Sequence, residues 1–538
     1  MLPGHRSRLL WSTALSALFG ACVSATPDAG PPKTASPAPH TSPASTSANS
    51  EAPSAEEVTA EQASSGPGPE VAAPKPKPDD GKKRITSVGY LTWIRKKPEI
   101  REGDFLGYVR AGNTIALKSD KIIRGTGCSG GFYEVEPRGY ICRDKTVSDA
   151  PRPAWREAAE ASRGTPGMTF PYRYAFSNGA PMYNRVPTKA EQERFEKYLG
   201  KPGTFGKLPK TLRSHEELAV AESIDAKDVL PGFLKDGGSA REAPFDLVEQ
   251  TIPHGSMLSF TKSFEAEGRT WLLSADHTIV PADRVRPFRA STFKGADLSK
   301  DEAKLPLAFM RVKARPKYAK KGDAMVATGE SWAVRTWVEL TGSSTEAGGK
   351  RWLETRERTD GGPIYVAEDD ATVIEPEKKL PHGIKEGQKW FLVRITNGTL
   401  VAYDGLVPVY ATLVSPGAGG VPVPGRDPVK DSTTPLGVYT ITFKDRAATM
   451  SPEKGKDRTF WIADVPHTQY FNPPFALHAA YWHERFGEMV SAGCVNLSPI
   501  DAERLFGWSD PQVPEEWQGA TGAGAKENGV ASAVVVRR

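Results

Sequence analysis

The sequence predicts a mainly β protein, with a larger sandwich-like or mixed-sheet domain at the C-terminus, about three small barrels before it and a disordered tether ahead of those. Three observations carry this. The 538 residues exceed what one ordinary core accommodates, so three or four domains are expected. The 12 Trp, 15 Tyr, 51 Gly and 46 Pro are spread along a chain with few long helical periods, which favours short strands and turns. A strand–turn–strand pattern also recurs upstream of the last segment.

Residues 1–22 read as a targeting segment. Arg6 and Arg8 precede a short apolar run from Leu9 to Phe19, and Leu18-Phe19-Gly20-Ala21-Cys22 ends it with small residues before a cysteine. The run is too short to span a bilayer. The pattern is similar to a bacterial lipoprotein signal, which implies lipidation at Cys22. An ordinary cleaved signal, with Cys22 a bystander, is the alternative. No later apolar stretch approaches membrane-spanning length, so anchorage would be by lipid alone. Residues 23–83 are rich in Pro, Ala, Ser, Thr and Glu and hold almost no large apolar side chains. Such a stretch cannot offset its ordering entropy, and its prolines keep it extended.

The recurring pattern pairs an aromatic-bearing strand with an apolar strand closing on Asp. It appears as Gly131-Phe132-Tyr133-Glu134-Val135 with Gly139-Tyr140-Ile141-Cys142-Arg143-Asp144. It returns as Arg269-Thr270-Trp271-Leu272-Leu273 with His277-Thr278-Ile279-Val280-Pro281-Ala282-Asp283, and as Arg351-Trp352-Leu353-Glu354-Thr355 with Ile364-Tyr365-Val366-Ala367-Glu368-Asp369. These units resemble the bacterial SH3-like barrels found beside cell-wall enzymes, which implies modules at 84–150, 166–295 and 305–378. The second is interrupted near 188–248, where Ala190 to Leu199 has helical spacing. The aromatics of the repeats are expected in barrel cores. Cys128 and Cys142 have a spacing suited to a disulfide outside the cytoplasm, closing a loop of about fifteen residues and contributing roughly 3 kcal/mol.

Cys494 lies in Ser491-Ala492-Gly493-Cys494-Val495-Asn496, one loop downstream of His478. A thiolate is a nucleophile, an imidazole takes its proton, and amides at a tight Gly turn hold an oxyanion. A lone cysteine is more often a buried structural residue, but these flanks argue for catalysis. Ser498 reads as an N-cap, Pro499 as the first helical residue and Asp501 as a first-turn acid, so a helix dipole would favour the thiolate. With Cys22 lipidated and Cys128 paired to Cys142, Cys494 is expected as the one free thiol.

His478-Ala479-Ala480-Tyr481-Trp482-His483 followed by Ser491-Ala492-Gly493-Cys494-Val495-Asn496-Leu497 resembles the active-site signature of the L,D-transpeptidases, the YkuD-like domain. Leu392 to Gly405 resembles that domain's opening hairpin, Pro408 to Ser415 its next strand, and Thr434-Pro435-Leu436-Gly437-Val438-Tyr439 its TP-x-G-x-Y turn. The resemblance covers 385–538. Ala492 stands where the family usually has a second His. The resemblance implies Cys494 as nucleophile, His478 as base, Gly493 and Cys494 amides at the oxyanion, and Ser491 and Asn496 holding the loop and binding substrate. Tyr481 and Trp482 would be cleft walls, and His483 would line the loop over the site. The implied reaction is 3→3 cross-linking of peptidoglycan stem peptides through a Cys thioester, without cofactor or metal. Stem trimming by the same site is one alternative, and a non-catalytic wall-binding lipoprotein is another.

A net charge of +5, from 70 basic and 65 acidic residues mixed along the chain, leaves no basic arm and argues against nucleic acid. A monomer of the bacterial cell envelope is expected, periplasmic and lipid-anchored through Cys22, or exported and soluble if Cys22 is not lipidated.

Overall fold

The structure, a computed structural model, describes residues 80–538 apart from 166, 301–302, 452–460 and 523–529. The targeting segment, Cys22 and all but the last residues of the tether lie outside the described residues.

Each repeat forms an antiparallel hairpin. Phe132–Glu134 pairs with Tyr140–Cys142, Arg269–Ser274 with Ile279–Pro281, and Lys350–Thr359 with Gly362–Ala367. Phe132 and Trp271 are completely buried and Tyr133, Trp352 and Tyr365 buried, while Tyr140 is half-buried. The second and third hairpins satisfy the buried indole in the same way: Trp271 Nε1 donates to the Ala266 carbonyl at 2.9 Å, and Trp352 Nε1 to the Ala347 carbonyl at 3.0 Å. In the first hairpin Cys128 and Cys142 are joined by a disulfide.

The segment interrupting the second unit begins with a helix, Lys189–Glu196, shorter than the spacing of Ala190 to Leu199 predicts. Thr188 caps it, its hydroxyl accepting the Glu191 amide while the Glu191 carboxylate accepts the Thr188 amide. At its far end Glu196 turns inward to Arg269, Arg284 and the Tyr183 hydroxyl. The segment continues through short 3₁₀ turns at Lys210–Glu216 and Gly232–Gly237.

The first two units are sewn into the C-terminal domain rather than strung before it, while residues 307–374 of the third form a seven-stranded sheet of their own. One sixteen-stranded sheet runs through the first two units and the domain. Met257–Ala266 meets Ile462–Asn472 through a Met257–Ile462 pair, and Phe105–Arg110 lies antiparallel to Gly519–Thr521. Ala296–Asp297 adds an edge to the C-terminal sheet by pairing with Tyr410 and Ala411. Pairing of this kind uses up strand edges that would otherwise present unsatisfied amides. A buried ionic knot lies at the junction. The Arg110 guanidinium grips Asp464, and also Asp276 at 3.1 Å, while the Ser259 hydroxyl donates to Asp464 and the Tyr174 hydroxyl to its carbonyl.

In the C-terminal domain, Lys389–Arg394, Thr399–Asp404 and Val407–Leu413 form the antiparallel start of a six-stranded sheet. Ala533–Arg537 joins it parallel to Lys389–Arg394 and antiparallel to Gly437–Thr440. One face packs on Phe475–Ala479, Val495–Leu497 and the helix Pro499–Trp508. The core between them holds Phe391, Val393, Leu400, Val534, Leu477, Val495 and Leu505. The helix starts as its sequence predicts, with the Ser498 hydroxyl accepting the Asp501 amide. It ends on the buried Nζ of Lys444, which donates to the Phe506 and Ser509 carbonyls at 2.6 and 2.8 Å.

Candidate active site

Two short parallel strands set the site. Phe475–Ala479 and Val495–Leu497 pair with Leu477 opposite Val495 and His478 opposite Asn496. Side chains alternate along them. Phe475, Leu477, Ala479, Val495 and Leu497 enter the sandwich core, while Ala476, Ala480 and Cys494 belong to the cluster on the other side. His478 shares the parity of Ala476, so His478 and Cys494 face the same side, two register positions apart.

The loop before Cys494 is held from several directions. Ser491 and Asn496 bridge to Gly417 and Ser415. The Ser491 hydroxyl donates to the Cys494 carbonyl at 2.5 Å and accepts the Gly493 amide at 3.1 Å. The Gly493 amide is therefore occupied, and in this state it does not serve the oxyanion as the sequence reading expects. Gly493 has φ +120°, and a Cβ there would come within 2.6 Å of the Phe475 ring, so both conformation and space require glycine. The Thr434 hydroxyl donates to the Gly493 carbonyl at 2.9 Å and accepts the Gly417 amide at 2.9 Å. Thr434 was legible only as part of a motif, with no role attached.

His478 is buried, and its Nδ1 lies 3.3 Å from the Ala479 carbonyl. With Nδ1 donating, Nε2 carries the lone pair a base needs. Burial lowers this imidazole to about 4, so it is neutral near pH 7. His483 is differently placed. Its Nδ1 accepts the Arg485 amide at 3.1 Å, and its Nε2 lies 3.0 Å from the Asn496 amide. A neutral ring accepting at Nδ1 must donate at Nε2, so it is the amide oxygen of Asn496 that faces it. Burial, with His215 next in weight, lowers His483 to about 3.

Cys494 is fully buried, with its Sγ 4.0 Å from the Pro474 carbonyl. One expectation is corrected. Tyr481, expected as a cleft wall, is core: its ring stacks on Tyr174 with centroids 3.9 Å apart, meets Phe288 edge-on, and its hydroxyl donates to the Ala463 carbonyl. The upstream units supply those partners, which covers the ring. Trp482 is buried too, but it stacks on His478 with centroids 5.9 Å apart and so does border that imidazole. Its other aromatic neighbours include His215, which sequence reasoning missed because its position in the chain carries no sign of it.

Comparison with known proteins bears on the family of the C-terminal domain. Residues 388–523 match the YkuD family, the L,D-transpeptidase catalytic domain. No curated protein matches the chain. Among solved structures, an L,D-transpeptidase (residues 123–326) from Xylanimonas cellulosilytica is 17% identical over 29% of this chain and 64% of its own, just under two thirds, with a TM-score of 0.18. The catalytic domain of the E. faecium L,D-transpeptidase is 18% identical over 29% of this chain and 100% of its own, with a TM-score of 0.19. L,D-transpeptidase 3 from Mycobacterium tuberculosis, with a faropenem-derived adduct, is 18% identical over 37% of this chain and 82% of its own, with a TM-score of 0.19. At such identities and scores these likenesses carry no argument of their own. Residues 388–523 are an L,D-transpeptidase catalytic domain of the YkuD family.

Proposed function

We propose that this domain transfers acyl groups on peptidoglycan stem peptides, with Cys494 as nucleophile and His478 as base. The single observation behind this is the shared face of Cys494 and His478 on paired strands within a YkuD domain. His478 Nε2 takes the thiol proton and the thiolate attacks a stem-peptide carbonyl. The tetrahedral intermediate collapses to a thioester, and the leaving amine receives the proton from His478. An amine of a neighbouring stem then attacks the thioester, gives its proton to His478 and releases the thiolate, leaving a 3→3 cross-link. Water in that place would trim the stem instead. Ser491 and Thr434 hold the nucleophile loop through both stages.

A non-catalytic wall-binding role is the second reading, favoured by Ala492 in place of the family's His and by the complete burial of Cys494. Incubation of the reduced full-length protein with a carbapenem, followed by intact-mass measurement, separates the two. A covalent adduct absent from Cys494→Ala supports the enzyme, and no adduct at any concentration supports the binder. We place the protein in the bacterial envelope, anchored through a lipid on Cys22. The leader pattern and the Cys128–Cys142 disulfide support that placement. Cys22→Ser should release the protein from membranes.

A further inference from the structure

The segment that interrupts the second unit reaches the active-site loop. Its 3₁₀ turn Lys210–Glu216 carries His215, which is buried, with Nδ1 3.1 Å from the Gly255 carbonyl. That bond fixes the ring from behind. In front, the His215 ring meets the Trp482 indole edge-on, with centroids 6.1 Å apart and planes at 67°. The same indole lies over His478, with centroids 5.9 Å apart and planes at 29°. Trp482 therefore sits between two imidazoles, one from the upstream unit and one that borders the nucleophile.

The contact is held in register. Two residues beyond His215, the Glu217 carboxylate accepts the amide of Glu484, two residues beyond Trp482, at 3.3 Å. The chain then pairs Ala219 with Phe288, and the Arg289 amide donates to the Leu218 carbonyl. Phe288 packs on Tyr481, and Arg289 forms an ion pair with Glu484 at 3.2 Å. From the other side Arg335 reaches the same Glu484 carboxylate at 3.2 Å. Tyr481, Trp482 and Glu484 are thus held by the His215 turn, by the strand end at Phe288 and Arg289 that it pairs with, and by Arg335.

We propose that His215 is a positioning residue of the active site, holding the Trp482 indole against His478 so that the base stays aligned with Cys494. The proposal deepens the acyl-transfer reading above and rests on it for its kinetic arm. On this reading the interrupting segment completes a wall that the catalytic domain does not build from its own residues. Misalignment of a base by a fraction of an ångström costs rate rather than binding.

The test uses the full-length protein, reduced with a mild thiol. His215→Asn keeps an N–H for the Gly255 carbonyl but removes the ring, whereas His215→Phe keeps a ring. The expected result is a His215→Asn variant that melts near the wild-type temperature and acylates with a carbapenem on the order of tenfold more slowly per titratable Cys494. The concentration giving half-maximal rate should be unchanged, and His215→Phe should regain most of the rate. Wild-type acylation by His215→Asn overturns the proposal, as does an equal loss in both variants that tracks lowered stability. A second arm needs no reaction: with ¹³C-labelled histidine, the His478 ring resonances should move in His215→Asn and return toward wild type in His215→Phe. Unmoved His478 resonances overturn the proposal even if the wild type forms no adduct, an outcome that would count against the acyl-transfer reading instead.

Discussion

His483 and Asn496 meet ring to amide at 3.0 Å, while the other ring nitrogen of His483 is taken by the Arg485 amide. Both nitrogens are committed, so His483 braces Asn496 beside the nucleophile and is not placed to carry protons. His478 keeps one nitrogen for that work. His478→Ala should cut carbapenem acylation on the order of 10²–10⁴-fold, the range of a lost general base. His483→Ala should cost about tenfold or less, and equal losses would contradict the division of roles.

The acid limb of the reaction follows from burial. His478 acts as a base only when neutral, and burial lowers it to about 4. Because the shift is downward, the base form persists as pH falls below the ordinary imidazole value and is lost only as pH passes through about 4. Acylation rates measured from pH 4 to 8 should therefore hold across pH 6.5 on the acid side. A half-loss centred near 6.5 would show an exposed, ordinary imidazole.

Thr434 ties two loops together through one hydroxyl. Thr434→Val keeps the shape but leaves the buried Gly417 amide and Gly493 carbonyl without this partner, a cost of about 1–3 kcal/mol. A lower melting temperature and slower acylation are expected together. An unchanged acylation rate would remove Thr434 from the support of the nucleophile loop.

Arg110 and Asp464 join an upstream unit to the C-terminal domain through a buried ion pair. Asp464→Ala removes the most buried carboxylate from a buried guanidinium, leaving it Asp276 and the Tyr172 hydroxyl, and should destabilise the protein by about 3–5 kcal/mol. The double change Arg110→Met with Asp464→Leu should recover most of that loss. Denaturant unfolding gives both values, and a single variant as stable as wild type would contradict the knot.

Much of this was legible because local chemistry writes itself into local sequence. The cap at Ser498, the turn at Gly493, the strand order around Thr434-Pro435 and the three aromatic hairpins each follow from a few neighbouring residues. What was not legible depends on partners far apart in the chain. Arg110 gives no sign that it will meet Asp464, and His215 none that it will meet Trp482. Tyr481, between two histidines, reads as a cleft wall until Tyr174 and Phe288 are seen to cover it. Which edge a strand pairs with is likewise a tertiary choice, and nothing in the sequence says that Phe105–Arg110 pairs with Gly519–Thr521.

The central claim is that Cys494 is a nucleophile served by His478. Its most direct measurement is the intact mass of the reduced full-length protein after exposure to a carbapenem, beside Cys494→Ala and His478→Ala. The account predicts one adduct on the wild type, none on Cys494→Ala and slow formation on His478→Ala. A wild-type protein that stays unmodified at every concentration, with its thiol shown to be reduced, would contradict it.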